Sequence, residues 1–344
     1  MILITSPRFD GHENPPGHPE RLERAHVFDA VAARWLEKGG RTMPPREATR
    51  EELERVHDAD YVDRIASTAG RAVMLDPDTF TSPESAGIAL LAAGAAVQAA
   101  GHAVGDREPA FALVRPPGHH AERATAMGFC LYNNIAVAAA AMLHRGLSRI
   151  AIVDIDVHHG NGTQWIFYDD PRVLYISTHQ HPFYPGTGAA GEIGHAEGEG
   201  YTVNVPLELG ATDADYALVY RAIVNPVLDE FAPELVLVSA GYDAHERDPL
   251  ASMRVTTRGY ARMVQELRHG ALRHGQLALV TEGGYELTAL AACIEASLTA
   301  VDTGAPGAYV DGGDSAPSMP GGARRGEEGV AAVRAVLKPF WRAI

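Results

Sequence analysis

An aspartate and a histidine stand two positions apart, directly after an apolar run of the chain. The run Ile150–Val153 is typical of a strand buried in a parallel sheet, and Asp156 and His158 follow it. Because alternate residues of an extended backbone point to the same side, both side chains should project together from the C-terminal end of that strand. Open α/β sheets bind their ligands at that end. A carboxylate beside an imidazole therefore predicts a site for Zn²⁺ or another divalent transition metal.

A third metal ligand is expected from Asp243, which follows the apolar run Leu235–Ser239. A catalytic zinc ion needs three protein ligands and one open position for water. Taken alone, Asp243 would more simply be a turn or helix-capping residue. Its position after a second apolar strand favours the metal-ligand interpretation, because the ends of such strands lie together.

Two adjacent histidines, His119 and His120, are the predicted proton shuttle, and they follow the strand candidate Phe111–Val114. Zinc lowers the pKa of its bound water to about 7, but amide hydrolysis still requires proton transfer. Asp154 and Asn161 flank the metal segment and are candidates to orient the two imidazoles. Since a carboxylate favours the imidazolium more than an amide does, one histidine should be nearer charged and the other nearer neutral.

Tyr285 follows the strand candidate Leu277–Thr281 and is a candidate oxyanion donor. Its hydroxyl would donate a hydrogen bond to the oxygen of the attacked carbonyl. The simpler alternative, which holds for any single tyrosine after a turn, is a packing role.

Apolar runs alternate with helical patterns along the chain, which predicts an α/β fold with a parallel sheet covered by helices on both faces. The strand candidates are Met1–Thr5, Phe111–Val114, Ile150–Val153, Val173–Ile176, Leu235–Ser239 and Leu277–Thr281. The helix candidates are Pro19–Glu37, Ser82–Val104, Tyr132–Arg145, Ala214–Phe231, Arg258–Arg273 and Leu287–Val301. We predict one catalytic domain over residues 1–302, a Gly/Pro-rich linker over 303–326 and a C-terminal helix over 327–344.

The net charge of −15 excludes a basic nucleic-acid surface, so no direct nucleic-acid partner is expected. An acidic surface would attract cationic substrates, although the acidity more simply keeps a protein in solution. Two cysteines form no disulfide framework. The N-terminus is too quickly polar for a signal peptide, and no apolar run reaches about 18 residues. We therefore expect a cytoplasmic protein with no membrane span.

Together these segments resemble the zinc-dependent histone deacetylase superfamily, which includes acetylpolyamine amidohydrolases and bacterial histone deacetylase-like amidohydrolases. The matching segments come in the family's order: His18–Arg21, Arg115–His120, Gly128–Phe129, Asp154–Thr163, Pro185–Gly188, Ser239–Asp243 and Glu282–Tyr285. They cover residues from about 10 to 300. Asn161, where class I enzymes have aspartate, indicates the class II and bacterial branch.

The resemblance implies an arginase/deacetylase-like three-layer α/β/α fold with a mostly parallel central sheet of about eight strands. It implies Zn²⁺ on Asp156, His158 and Asp243, His120 as general base and then acid, His119 with Asp154 as electrostatic helper, and Tyr285 polarising the carbonyl. The family also binds K⁺. The matching positions are Asp154, Asp156, His158, Ser177 and Thr178 for one site, and Phe167, Asp170, Val173 and Tyr201 for a second.

The resemblance also implies a substrate channel walled by Phe129, beside Gly128, and by Tyr184. Two aromatic faces suit a methylene stem that carries an amide at its end. Leu250 would lie at the rim, where polyamine-specific eukaryotic relatives carry an acidic residue. Asp78 could bind a substrate backbone or a distal ammonium group, with a solvated loop charge as the alternative.

Our leading prediction is a zinc-dependent deacetylase acting on an acetyl-lysine-like peptide, protein or small amine. Acetylpolyamine deacetylation is the second hypothesis, which Leu250 weakens. A weakly active acyl-lysine-binding regulatory protein is the third, although intact His119, His120 and Tyr285 argue against it. An arginase-type enzyme with two Mn²⁺ ions would need a second ligand set, which the sequence does not offer. Fe²⁺ could occupy the zinc ligands. The acyl chain length and the oligomeric state stay open.

Overall fold

A central sheet of eight parallel strands organises the computed structural model, which describes residues 1–303 and 322–344. Its strands are β1 (Ile2–Ile4), β2 (Arg41–Met43), β5 (Ala110–Ala112), β6 (Ile150–Asp154), β7 (Val173–Gln180), β8 (Thr202–Leu207), β9 (Leu235–Ala240) and β10 (Gln276–Thr281). Their spatial order is β2-β1-β5-β10-β9-β6-β7-β8. The strands β3 (Val73–Asp76) and β4 (Thr79–Thr81) form a separate antiparallel hairpin.

Helices cover both faces of the sheet. They are α1 (Glu23–Glu37), α2 (Arg50–Glu54), α3 (Ala59–Ala66), α4 (Ser85–Gly105), α5 (Asn134–His144), α6 (Asn161–Ile166), α7 (Asp213–Val219), α8 (Asn225–Phe231), α9 (Thr257–His274), α10 (Leu287–Thr303) and α11 (Arg324–Leu337). A π-helical turn over Tyr220–Val224 joins α7 to α8. This three-layer α/β/α arrangement is the predicted fold class.

Continuous apolar strands fit this architecture because both of their faces are buried. Successive residues of one strand enter different cores: Phe111 belongs to the core that contains side chains of α1 and α7–α11, whereas Ala110 and Ala112 belong to the core that contains those of α4 and α5. The same alternation places Leu279 in the first core and Val280 in the second. Each central strand therefore ties the two helical layers together.

Helix α4 is longer and more apolar than expected, since we predicted no apolar run of about 18 residues. By length and composition it could cross a membrane, but 67% of its most apolar window is buried inside the protein. Its small residues allow a close approach of neighbouring backbone: a Cβ added at Gly94 would lie 1.9 Å from the carbonyl oxygen of Arg46. A helix that packs this tightly in the core of a protein can have the same length and composition as a membrane-spanning helix.

The sequence patterns missed the edge strands and misplaced several boundaries. Strand β2 is largely exposed, and β8 carries Pro206, which edge strands tolerate, so neither gives a continuous apolar run. Helix α1 begins at Glu23, not at Pro19. The predicted linker 303–326 falls mostly on residues 304–321, outside the described residues. Helix α11 begins three residues before the predicted start at 327 and ends at Leu337, with Trp341 packed behind it.

The sheet order reverses between β6 and β9. Strands β7 and β8 extend from one side of β6, whereas β9 and β10 extend from the other side. Loops leaving β6 and β9 therefore diverge and open a crevice at the carboxyl ends of the strands, where α/β proteins place their ligand sites. Asp156 and His158 follow β6, and Asp243 follows β9, so the topology carries all three to this crevice.

Candidate active site

Asp156, His158 and Asp243 form a buried cluster whose potential ligand atoms all lie within 4.8 Å of one another. The Nδ1 atom of His158 is 3.0 Å from Asp156 Oδ1 and 3.2 Å from Asp243 Oδ2. Two carboxylates and one imidazole suit a divalent transition metal with open coordination positions. Among residues 1–303 and 322–344, this is the one group of three or more His, Cys, Asp or Glu side chains with such spacing.

Backbone groups hold the two carboxylates of this cluster in place. The N–H of Gly283 donates to Asp156 Oδ2 at 2.9 Å, and the N–H of Val157 donates to Asp243 Oδ1 at 2.9 Å. A Cβ added at Gly283 would lie 2.0 Å from Asp243 Oδ2. One added at Gly241 would lie 2.0 Å from Asp156 Oδ2. Glycine is therefore required at both positions for the carboxylates to converge.

His119 and His120 lie side by side next to the metal cluster, with different partners. The Nδ1 atom of His119 is 3.0 Å from Asp154 Oδ2. Burial opposes charge on this imidazole, but the carboxylates of Asp154 and Asp156 outweigh it and raise the pKa of His119 to about 10. Burial and the neighbouring charge of His119 hold the pKa of His120 well below its usual value. One histidine is thus charged and the other neutral at neutral pH.

His120 is paired with Asn161, whose Oδ1 lies 2.8 Å from its Nδ1 atom. The Nδ2 group of Asn161 donates to Glu122 Oε1 at 2.8 Å. Both His120 and Asn161 are buried, whereas Glu122 is half-buried. Sequence reasoning did not single out Glu122, because nothing in the segment after His120 indicates a role for it.

Glu282, at the start of the Tyr285 loop, is a buried carboxylate to which the sequence analysis assigned no role. It accepts the N–H groups of Gly118 at 2.6 Å and His119 at 3.1 Å, and the hydroxyl of Ser239 at 3.0 Å. Burial raises the pKa of Glu282 to about 7. This side chain joins the ends of β5, β9 and β10, and so fixes the histidine loop against the tyrosine loop.

Tyr285 lies beside Phe129, with ring centroids 5.9 Å apart, and it lines the rim of the site. Its backbone N–H donates to Asp248 Oδ2 at 2.7 Å, and the other oxygen of Asp248 accepts the N–H of Leu250 at 3.0 Å. Burial raises the pKa of Tyr285 well above its usual value, so its hydroxyl stays protonated and can donate.

An ionic network lies behind this loop and has no exposed side chain. Glu20 pairs with Arg115 through both carboxylate oxygens, at 2.5 and 2.8 Å, and with Arg24 at 2.9 Å. Arg24 also donates to the carbonyl oxygens of Glu282 and Gly284. The network therefore anchors the glycine turn that carries Tyr285. The sequence analysis gave Arg24 no role and included Arg115 only in a matching segment, because the partner of Arg115, Glu20, lies 95 positions away along the chain.

Aromatic side chains wall the approach to the metal cluster. Phe129 has a left-handed backbone with φ of 70°, and its N–H donates to Thr79 Oγ1 at 3.0 Å. The ring of Tyr184 meets His120 edge-on, with centroids 5.1 Å apart. Phe183, which the sequence analysis passed over, stacks on the metal-ligand candidate His158 at 5.4 Å. Aromatic faces at these positions suit an extended methylene chain.

Gly128 and Asp78 support these walls. Gly128 has φ of 57°, and an added Cβ would lie 2.4 Å from the His120 ring, so glycine is required there. Its N–H donates to Asp78 Oδ1 at 3.2 Å, and the same oxygen accepts the Thr79 hydroxyl at 2.9 Å. The carboxylate of Asp78 thus already has partners within the wall. Leu250 lies at the rim, in a pocket shared with Tyr285 and the segment from Asn14 to Glu23.

A family model described as a histone deacetylase domain matches residues 17–301. The match covers every strand of the central sheet except β1, and it includes Asp156, His158, Asp243, both adjacent histidines and Tyr285. The chain belongs to the histone deacetylase family.

Relatives of this deacetylase-family chain support the assignment. A probable deacetylase of Archaeoglobus fulgidus is 44% identical and covers 80% of this chain and 79% of its own length. Histone deacetylase 15 of Arabidopsis thaliana is 46% identical over 83% of this chain, and polyamine deacetylase HDAC10 of Homo sapiens is 38% identical over 98%. The chain spans about half the length of these last two proteins, 52% and 51%.

The crystal structure of the HDA15 HD domain superposes on this chain with a TM-score of 0.89 at 38% identity, covering 99% of this chain and 96% of that one. The arginase/deacetylase-like fold that the motifs implied is therefore confirmed. The likeness extends over the whole sheet and both helical layers.

The positions expected to bind K⁺ in a histone deacetylase lie on neighbouring elements. The strand register pairs Asp154 with Ser177, and the hydroxyl of Thr178 lies 3.5 Å from the carbonyl oxygen of Asp154. For the second site, Phe167 and Asp170 lie between α6 and β7, Val173 is the first residue of β7, and Tyr201 directly precedes β8. The carboxylate of Asp170 is paired there with Arg172.

Proposed function

We propose that this protein is a zinc-dependent deacetylase that hydrolyses the N-acetyl amide of an acetyl-lysine-like substrate and releases acetate. One observation carries the proposal: two adjacent histidines, one paired with the carboxylate of Asp154 and the other with the amide of Asn161, lie beside an Asp–His–Asp cluster flanked by aromatic side chains. This arrangement divides electrostatic stabilisation and proton transfer between two groups. Membership of the histone deacetylase family supports amide deacetylation as the reaction class.

Zn²⁺ bound by Asp156, His158 and Asp243 would polarise the acyl carbonyl and lower the pKa of a water to about 7. His120 stays neutral because it is buried beside the charged His119, so its free nitrogen can accept a proton from the attacking water and then deliver it to the leaving amine. His119, held charged by Asp154, favours negative charge developing at the carbonyl oxygen. The Tyr285 hydroxyl donates a hydrogen bond to that oxygen.

The rim favours acetyl-lysine over an acetylated polyamine. The aromatic side chains beside the cluster suit either substrate, since both carry the amide on a methylene stem. Leu250 presents no charge at the rim for a distal ammonium group, and Oδ1 of Asp78 already accepts hydrogen bonds from Gly128 and Thr79. Acetylpolyamine hydrolysis is the second candidate, because the human relative named a polyamine deacetylase aligns over 98% of the chain.

We further propose K⁺ at the two sets of positions described above and a cytoplasmic location. The two-Mn²⁺ hypothesis is disfavoured, because the described residues offer a single cluster with metal-ligand spacing. A weakly active acyl-lysine-binding protein would not require a charged and a neutral histidine beside a protonated tyrosine. The hydrolase proposal uses all three groups.

The first prediction tests turnover. Zinc-loaded protein should hydrolyse a fluorogenic acetyl-lysine peptide with a higher kcat/KM than acetylated spermidine. Tyr285→Phe should lower kcat by about 10²–10³-fold, since an oxyanion donor is lost. Tyr168→Phe, at a half-buried tyrosine beside Trp165, should match the wild type. Equal and slow acetate release by the wild type and Tyr285→Phe would overturn the hydrolase proposal and favour the binding protein.

A further inference from the structure

Asn161 lies between His120 and Glu122, and the hydrogen-bonding chemistry of its two neighbours differs. A carboxylate can only accept hydrogen bonds when ionised, so Glu122 Oε1, at 2.8 Å, must face the Nδ2 group of Asn161. The sulfur of Met127, a weak acceptor, lies on the same side at 3.4 Å from Nδ2. Both neighbours on this side accept, so the amide of Asn161 has one favourable orientation.

That orientation decides which nitrogen of His120 carries the proton. With Nδ2 held by Glu122, the carbonyl oxygen of Asn161 faces His120 Nδ1 at 2.8 Å. An amide oxygen only accepts, so Nδ1 must be the protonated nitrogen. A neutral imidazole has a single N–H, so Nε2 is left with a free lone pair. The opposite orientation of the amide would place an N–H donor against Nδ1 and move the proton to Nε2.

The position of Glu122 is itself fixed. Its backbone N–H donates to the carbonyl oxygen of Thr125 at 2.9 Å, and its own carbonyl oxygen accepts from His57 Nδ1 at 2.9 Å. Its side chain is half-buried, whereas Asn161 and His120 are buried. The three residues therefore form a short hydrogen-bonded chain that starts at a partly solvated carboxylate and ends at the catalytic imidazole.

We propose that Glu122 is a positioning residue that fixes the amide of Asn161 and thereby keeps His120 in the tautomer with Nε2 free to act as the base. The inference rests on the proposed function, in which His120 transfers the proton. The amide of Asn161 could be oriented either way, so a third group is needed to fix which end of it faces His120. The inference assigns that role to Glu122.

The first test measures the tautomer and the rate in the zinc-loaded protein. The ¹⁵N chemical shifts of His120, assigned by comparison with His120→Ala, should report Nδ1–H in the wild type. Glu122→Gln should shift them toward the other tautomer, because a glutamine side chain can also donate to Asn161. The same variant should lower kcat by about 10- to 100-fold with KM changed less than about twofold.

Glu234→Gln is the matched control. Glu234 also accepts N–H and O–H donors, from Ser148 and Arg149, but it lies at the amino ends of β6 and β9, at the opposite edge of the sheet. Its variant should leave both the His120 shifts and kcat unchanged. Wild-type shifts and wild-type kcat in Glu122→Gln would overturn the inference.

A double substitution gives a second, independent test. Asn161→Asp places a second carboxylate about where Nδ2 now contacts Glu122. Repulsion between the carboxylates of residue 161 and Glu122 should displace the side chain of residue 161, which orients His120. In Glu122→Gln/Asn161→Asp, the glutamine amide can donate to the new aspartate, so kcat should recover at least about tenfold relative to Asn161→Asp alone. Additive losses would count against a coupled role for Glu122.

Failure of the inference is distinct from failure of the proposed function. If the wild type hydrolyses acetyl-lysine and Glu122→Gln is indistinguishable from it, only the inference falls. If the wild type has no turnover, the proposed function falls, and the ¹⁵N shifts still decide whether Glu122 fixes the tautomer. Thermal unfolding of each variant should show that it is folded before its rate is compared.

Discussion

At the scale of single residues, the absence of a side chain is as important as its presence. The metal cluster converges only because two strand ends carry glycine where a Cβ would overlap a ligand oxygen. Gly283 is the sharper case, since an added Cβ would lie 2.0 Å from Asp243 Oδ2 and 2.7 Å from Asp156 Oδ2. Its N–H simultaneously holds Asp156.

Gly283→Ala should therefore displace a ligand and weaken zinc binding by about 10- to 100-fold, as loss of a supporting group around a metal does. Zinc affinity is measured by competition with a chelator. Gly87→Ala, in α4 with nothing within 4 Å of the added Cβ, is the matched control and should bind zinc like the wild type. Equal zinc affinity in Gly283→Ala would show that the cluster tolerates rearrangement.

At the scale of elements, Asp248 connects the loop after β9 with the loop after β10. One carboxylate oxygen accepts the N–H groups of Tyr285 and Glu286, and the other accepts the N–H of Leu250. Burial, and then the charge of Asp243, raises the pKa of Asp248 to about 7. Leu250 and Tyr285 are thus held by the same side chain, although 35 positions separate them.

Asp248→Asn should lower kcat by about tenfold, because an amide cannot accept all three N–H groups and the Tyr285 hydroxyl loses its position. If the effect acts through Tyr285, Asp248→Asn combined with Tyr285→Phe should be no slower than Tyr285→Phe alone. Asp215→Asn, at a buried carboxylate that accepts N–H groups of Thr212 and Gly326, is the control and should retain kcat. A further loss in the double variant would contradict this prediction.

At the scale of the whole molecule, the network of Glu20, Arg115 and Arg24 joins the N-terminal segment to the strand ends. Arg115 also donates to the carbonyl oxygens of Phe9 and His12. All three charged side chains are fully buried. Burial opposes the charge on Glu20, but Arg115 and then Arg24 outweigh it and lower the pKa of Glu20 to about 2.

Glu20→Gln should destabilise the protein by about 3–5 kcal/mol near neutral pH, because it leaves buried guanidinium charge uncompensated. The depressed pKa means that the folded state holds the proton less tightly than the unfolded state. The stabilisation is therefore present above pH 4.5 and lost as the pH falls from 4.5 toward 2. Urea unfolding of both proteins should show their difference shrinking over that range.

Glu54→Gln is the control, since the Arg50–Glu54 pair is largely exposed. This variant should change the free energy of unfolding by less than about 1 kcal/mol at any pH. A loss as large as that of Glu20→Gln would show that burial does not distinguish the two pairs.

The sequence by itself determined which side chains stand at the strand ends that form the candidate site. Strands buried on both faces must be continuous apolar runs, and Asp156, His158 and Asp243 lie within a few positions of such runs. Their placement therefore follows from local geometry: alternation along an extended chain and the convergence of parallel strand ends. The same reasoning found His119, His120 and Tyr285, while the exposed strand β2 and the Pro-containing edge strand β8 gave no comparable signal.

Only the tertiary structure decided which groups hold those residues in place. Glu20 and Arg115 are 95 positions apart, and Glu282 and Gly118 are 164 positions apart. No periodicity links partners at such separations, because packing of the helical layers and loops brings them together. Asn161 was visible as a partner of His120, but its orientation depends on Glu122, which loop packing places beside it. The chemistry is thus encoded at strand ends, and its precision comes from contacts distant in sequence.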